Sequence, residues 1–257
     1  MITRRQVVAG GAAFLVASFL PGTAAAYQQG VVPQFEKSPQ DLGVRSLYLP
    51  DGKLLVAHSI DAEIYMFHHE AGSALDWVIR QALAAGRQFV TVNQLADLVL
   101  GEELTSGRYA AITFDDGYLV QKQAVPVLDR HGVKGTFYIM APSWQGDGVN
   151  SYFSNDFKVF LSEEGHEIGC HTANHPPNLI ALRQVNFGAY LQEVFGAKLQ
   201  LEDLIQAPVN TFAYPNGVFN QALVADVAMV YKAAVTTIPG RLHSAPNIYT
   251  MPRVRVN

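Results

Sequence analysis

A single cysteine, Cys170, stands among 257 residues. One thiol cannot build an intrachain disulfide framework, and it reads as a small buried apolar side chain. Charge is also scarce: Asp, Glu, Lys and Arg make up 16% of the chain, too little for long disordered regions. The net charge is −4 and no basic tract of five residues occurs. Nucleic acid is therefore not an expected partner. No apolar run reaches the ~18 residues that a membrane span needs, and no repeat or low-complexity segment stands out. What is present is a 49% hydrophobic composition, which suits one domain of α/β-barrel size or two small ones.

The first 26 residues read as an export signal rather than as part of the fold. "MITRRQVVAGGAAFLVASFLPGTAAA" has a positive start, an apolar run from Val7 to Leu20 and a small-residue end at Ala24-Ala25-Ala26. That is the pattern of a secretory signal peptide cleaved before Tyr27. Arg4-Arg5 resembles a twin-arginine signal; the other reading is a Sec signal carrying two arginines. Cleavage would move the net charge from −4 to −6, because residues 1–26 hold two arginines and no acids. No cysteine at the cleavage site can carry a lipid. The expectation is a periplasmic or secreted protein with no stable membrane anchor after cleavage.

Beyond residue 26, an extension (27–62) precedes the main pattern (63–257). "VRSLYLPDGKLLVAHS" reads as a hairpin turning at Asp51-Gly52. Strand and helix signals then alternate. Ser73 is a candidate N-cap, with Asp76 three residues on. "YAAITF" reads as a strand, then a helix to His131 stopped by Gly132. "KGTFYIM", a helix near 156–164, and the strand "HEIGC" follow. Helices near 181–206 and 219–229 alternate with "VNTFAYP", "KAAVTT" and "PRVRV". Such alternation predicts parallel strands with helices outside. About seven strands suit a deformed, incomplete (β/α) barrel better than an eight-stranded one.

In that architecture reacting groups gather at the C-terminal strand ends. Four polar sets fall there: His68-His69, Asp115-Asp116, His171 with His175, and Tyr214-Pro215-Asn216-Gly217. Singly, each has a bland reading, since a DDG is usually a turn and a lone H-x-x-x-H is often not a metal site. Taken together they suggest more. His171 and His175 lie one helical turn apart, and Pro176 would end that turn at once. Two imidazoles and one carboxylate make a facial site for a divalent metal. A cation would make the adjacent carboxylates tolerable and leave the second Asp ionised, ready to act as a base.

"TFDDG" (113–117), "HTANH" (171–175) and "FAYPNG" (212–217) resemble the first three motifs of the polysaccharide deacetylase family, the NodB-homology domain of carbohydrate esterase family four. The resemblance runs from about Ile64 to the end, and "YKAAVTTIPG" with "MPRVRV" looks like its bacterial exported branch. It implies a metal-dependent hydrolase that removes N-acetyl groups from an N-acetylglucosamine-containing polysaccharide, its partner being that polymer. Carried over motif by motif, Asp115 would be the general base. Asp116, His171 and His175 would hold the ion, usually zinc, with cobalt, nickel or another divalent ion possible. The Asn216 backbone N–H would help bind the oxyanion, with Gly217 permitting the turn and Tyr214-Pro215 shaping it.

The chain also departs from the family pattern. Ala213 stands where many members carry the arginine that orients the base, and Arg253 in "MPRV" is a candidate to reach back to Asp115. An aromatic common at the position of Asn216 is missing. The late leucine-x-histidine motif, whose histidine protonates the leaving amine, is not evident; His243 in "GRLHSAP" and His68 at the first strand end are rival donors. Trp144 and Tyr118 are candidates to stack on sugar rings. An O-acetyl polysaccharide esterase and a catalytically silent glycan-binding or export accessory protein are the alternative readings.

Overall fold

The structure, a computed structural model, describes residues 60–69, 72–101, 107–141, 152–243 and 247–256, with the backbone of 47–48 and 54–55. Two short strands, β1 (Leu47–Tyr48) and β2 (Leu54–Leu55), pair antiparallel; the expected turn at Asp51-Gly52 lies outside the described residues. The export signal, Arg4-Arg5 included, also lies outside them.

The main body is a ring. β3 (Ile60–Phe67) pairs in parallel with β5 (Gly107–Asp116) over eight positions, from Ile60 against Gly107 to Phe67 against Phe114. From β5 the sheet continues in parallel through β6 (Thr136–Ile139), β7 (Glu167–Cys170), β8 (Thr211–Ala213) and β9 (Ala233–Pro239). It then reaches β11 (Met251–Arg255), whose Val254 and Arg255 return to β3 at Tyr65 and Met66. The closed barrel therefore has seven parallel strands. The two-residue β4 (Gln88–Phe89) adds to β5, and β10 (Leu242–His243) runs antiparallel beside the start of β3.

Alternation along each strand separates two apolar regions. Phe67, Phe114, Phe137 and Phe212 face outward and are buried beneath the helices. Ala62, Ile64, Ala111, Ala213 and Val235 face inward, around the buried ring of Tyr138. A seven-stranded barrel is narrow, so small residues line it. Gly169 shows how tight the fit is: a Cβ there would lie 2.4 Å from the Tyr138 ring.

The helices form largely where the pattern predicts, with caps that differ in detail. α1 (Ser73–Ala84) begins after Gly72, and Ser73 is its first residue rather than its cap. Asp76 instead binds Arg80 on its own helix and His131 on the neighbouring one. α2 (Val92–Leu100) has a capping box, with Thr91 and Gln94 satisfying each other's backbone N–H groups. After β5 a 3₁₀ turn (Leu119–Ala124) leads into α3 (Val125–His131), which Gly132 stops in a left-handed conformation. α4 (Asn155–Glu163) is capped by Ser154. The stretch expected as one helix over 181–206 is broken. α5 (Leu179–Val185) and α6 (Phe187–Leu191) meet at Asn186, which caps the second, and a π-turn (Gln192–Gly196) joins α6 to α7 (Ala197–Ile205). α8 (Gln221–Ala228) completes the outer layer.

Lys158 on α4 ties that layer to the barrel rim. Its buried ammonium donates to the carbonyls of Met140 and Ala141, at 2.9 and 3.1 Å, just past β6. Burial lowers its pKa to about 8 from 10.5. The folded chain thus releases this proton before the unfolded chain does, so stability rises with pH between about 8 and 10.5. In urea titrations across that range, Lys158→Met should show a smaller rise than the parent; identical slopes would show that the amine stays charged.

Candidate active site

The catalytic candidates meet where β5 ends. Neighbouring residues on a strand point to opposite faces. Asp116, however, adopts a left-handed φ of 73°, followed by Gly117 at 76°. That turn brings both carboxylates to one rim cavity of about 450 Å³, shared with His68, His171, His175 and Asn216.

Asp115 is 2% exposed and Arg253 is 1% exposed. The guanidinium grips the carboxylate with both arms, Nη1 to Oδ1 and Nη2 to Oδ2, each at 2.6 Å. Two more of its donors are satisfied, one on Nη1 by Thr113 Oγ1 at 3.1 Å and Nε by the Thr236 carbonyl at 2.8 Å. The register between β9 and β11 slips between Met251 and Arg253, and irregularities of this kind re-aim side chains. Burial disfavours charge on Asp115, but the charge and hydrogen bonds of Arg253 outweigh it and hold the carboxyl below its ordinary range. The arginine missing at position 213 is thus replaced in space from β11.

Asp116, His171 and His175 form the second group, their ligand atoms all within 4.8 Å of one another. Asp116 Oδ1 lies 3.3 Å from His171 Nε2 and 3.6 Å from His175 Nε2. Donors on a tetrahedral zinc, with bonds near 2.1 Å, stand about 3.4 Å apart, so the spacing fits a small divalent ion. His171 Nδ1 donates to the Ala213 carbonyl at 2.8 Å, which turns Nε2 toward Asp116. Burial opposes ionisation of Asp116, yet the His171 hydrogen bond and the nearby histidines bring its pKa to about 2. Burial also opposes the charged form of His171; Asp116 and Asp115 overcome it and raise that pKa. His175 is lowered by burial and by the charge of His171. A cation here would compete with protons for these donors.

The two histidines do not share a helical turn. Residues 171–178 form an irregular loop, with left-handed φ at Thr172 (67°) and His175 (49°). Pro176 disfavours the right-handed helical region for His175, and the His175 N–H donates to Thr172 Oγ1 at 2.9 Å.

Of the two rival proton donors, only His68 is at the site, with Nε2 3.9 Å from Asp115 Oδ2. His243 is elsewhere. β10 pairs it with Asp61, at the opposite end of β3. Six residues of strand, about 20 Å at ~3.3 Å each, separate that position from Phe67. The sequence placed "GRLHSAP" near the right point in the chain, but its strand runs antiparallel to the ring and carries the histidine to the wrong rim.

Tyr214, extended, leads into a short 3₁₀ turn (Pro215–Gly217), and together they form the wall past β8, with Asn216 left-handed at φ 56°. Gly217 (φ 67°) is required, since a Cβ would stand 1.9 Å from Thr237 Oγ1. Tyr214 is buried, lines the cavity and donates its hydroxyl to the Tyr249 carbonyl at 3.0 Å, which braces the wall. Tyr118 stacks between His69 and Tyr152, with centroids 4.0 and 5.2 Å away. Trp144 lies outside the described residues. Cys170 is buried, and burial pushes its thiol up to about 11, which makes it inert.

Several contributors carry no readable signal in the sequence. Tyr152 and Thr237 line the cavity without a motif. Gln121, buried in the 3₁₀ turn after β5, donates its amide to the carbonyls of His68 and Asp115, at 2.7 and 2.6 Å. It joins the ends of β3 and β5 beneath the site.

Breaking a buried ion pair from one side leaves an uncompensated charge. Arg253→Ala should therefore lower stability by about 3–5 kcal/mol, and kcat with it. Adding Asp115→Asn should recover part of the stability but none of the activity. Denaturant unfolding of both single variants and the double variant checks this; additive losses would show that the pair is not coupled.

The polysaccharide deacetylase family profile matches residues 103–233, just over half of the chain. YxkH of Bacillus subtilis (strain 168), provisionally named a polysaccharide deacetylase, is 26% identical over 174 residues, or 67% of this chain. The match spans 60% of the length of YxkH. The Streptococcus pyogenes deacetylase PplD, solved in complex with acetate, superposes with a TM-score of 0.66 at 21% identity, covering 77% of this chain and 93% of PplD. A de-N-acetylase from Aggregatibacter actinomycetemcomitans gives 0.57 at 15% identity, covering 77% and 94%. With the motifs assembled on one rim of a seven-stranded barrel and the family profile spanning their surroundings, the chain belongs to the polysaccharide deacetylase family.

Proposed function

We propose that this protein is a metal-dependent hydrolase that removes N-acetyl groups from an N-acetylglucosamine-containing polysaccharide. The observation that carries the reading is Asp115, gripped by Arg253, beside the donor set of Asp116, His171 and His175. The deacetylase and de-N-acetylase names of the structural neighbours support it. Two imidazoles and a carboxylate favour zinc, and cobalt or nickel would also suit. Bound there, such an ion would supply an acidified water and a positive charge near the amide carbonyl oxygen.

The remaining steps fall to the chain itself. Asp115 is ionised and fixed, so it accepts the proton of the attacking water. The wall at Asn216 presents its backbone N–H to the oxygen on which charge develops. His68, beside Asp115, hands a proton to the departing amine nitrogen. The cavity is open at the rim, which suits a polymer. The stacked rings of His69, Tyr118 and Tyr152 give it an aromatic side. Action on a glycan outside the cytoplasm follows from the export signal read at residues 1–26, and the protein is proposed to be periplasmic or secreted. Export that survives replacement of Arg4-Arg5 by two lysines would rule out the twin-arginine route.

The two aspartates should fail differently. Asp116→Ala should lose metal on dialysis and activity with it. Asp115→Asn should keep metal while turnover falls about 10²- to 10⁴-fold, the usual worth of a general base. Acetate release from chitin-like, peptidoglycan and poly-N-acetylglucosamine substrates, with and without chelator, is the measurement. Release only from O-acetylated xylan would reverse the bond assignment, and no release from any polymer would favour a silent binding protein.

A further inference from the structure

The loop that carries both histidine donors is held from outside by a carboxylate that no motif contains. Two of its residues, Thr172 and His175, are non-glycine residues with positive φ. Such backbone is sparsely populated and persists only where surrounding contacts over-determine it. One contact is internal, from the His175 N–H to Thr172 Oγ1. Three come from Glu193. Its Oε2 accepts the N–H groups of Ala173 and Asn174, at 3.0 and 2.8 Å, and its Oε1 accepts Asn174 Nδ2 at 2.8 Å.

Glu193 is 8% exposed and sits in the π-turn between α6 and α7. A π-turn widens a helix by one residue and often marks a functional site. Here it is the segment from which the carboxylate reaches the loop. Two successive backbone N–H groups closing on one anionic oxygen form charge-assisted hydrogen bonds, which are stronger than neutral ones.

We propose that Glu193 is a positioning residue for the donor set: it fixes the backbone of Ala173 and Asn174, and through them the aim of His175 relative to His171 and Asp116. A second consequence concerns Asn174, which lines the cavity. A carboxylate only accepts, so Asn174 must give it the NH₂ group. Its carbonyl oxygen remains available as an acceptor for a hydroxyl or N–H of a bound glycan. The proposal rests on the reading above only in taking Asp116, His171 and His175 as a cation site.

The test uses the full chain and three variants. Glu193→Gln keeps an acceptor for both backbone N–H groups, and its own NH₂ can meet a flipped Asn174 amide. Glu193→Leu keeps the bulk and removes every acceptor. Glu193→Asp keeps the charge but is one carbon too short, and it replaces the leucine variant if that one does not fold. Zn²⁺ affinity is read by competition with a chromophoric chelator, and hydrogen exchange of the 173–175 amides is read in metal-free protein. The leucine or aspartate variant should bind Zn²⁺ at least about tenfold more weakly, as for other groups that orient metal ligands, and should exchange these amides faster. Glutamine should stay within about threefold on both counts. Parental Zn²⁺ affinity in the leucine or aspartate variant would overturn the proposal, as would equal losses in the glutamine and leucine variants. Should the parent bind no Zn²⁺, the metal reading fails instead, and exchange alone decides: unchanged rates in the leucine variant refute the positioning role.

Discussion

The buried pair of Arg253 and Asp115 is the constraint around which the site is arranged. A carboxylate this deep in the barrel is disfavoured in its charged form unless a cation meets it. A planar fork meets it with two parallel hydrogen bonds from one charged side chain. Arg253 supplies that fork, but it comes from the last strand, while Asp115 comes from the middle of the ring. The pair therefore exists only when the barrel is closed, with β11 seated between β9 and β3. On the proposed mechanism, formation of the base and completion of the fold are one event.

The architecture explains why unlike parts of the chain can cooperate. Seven parallel strands deliver their C-terminal ends to one rim, and four of these ends contribute different groups. β3 ends in His68, β5 in the aspartates, β7 in the histidine loop and β8 in the turn at Asn216. Small inward residues such as Ala62, Ala111 and Ala213 keep the interior narrow. Gly169 makes room for Tyr138, and the Tyr138 ring lies beside the Arg253 guanidinium, 5.8 Å from centroid to Cζ. Around this rigid interior the rim residues adopt the less common backbone: Asp116, Thr172, His175 and Asn216 all have positive φ. Such strain is tolerable where many contacts hold it, and it lets adjacent residues face one cavity instead of alternating.

The donor set shows a similar division of labour. Both histidines have outside support. His171 leans on the Ala213 carbonyl and the loop bearing His175 on Glu193, while Gln121 joins the strand ends beneath. Protons would compete with any cation for these same donors.

Much of this was legible in the sequence. The strand and helix alternation implied the parallel barrel, because a buried parallel strand must be almost wholly apolar and its helices amphipathic. The motifs at 113–117, 171–175 and 212–217 marked the rim, because short polar runs after apolar strands have nowhere else to go. The missing arginine at 213 even pointed to Arg253. What the sequence could not decide was direction and reach. His68 and His243 looked equally eligible until β10 ran antiparallel and took His243 to the far end. The spacing of His171 and His175 suggested a helical turn, but the loop brings them together by left-handed residues instead. Glu193 and Gln121 were invisible, since a buried carboxylate or amide in a helical stretch reads as a solvated face until its partners, many residues away, close upon it. Local pattern settles which groups are present; only closure of the ring sets which of them meet, because the pair at the centre of the site, Arg253 and Asp115, joins strands across 138 positions.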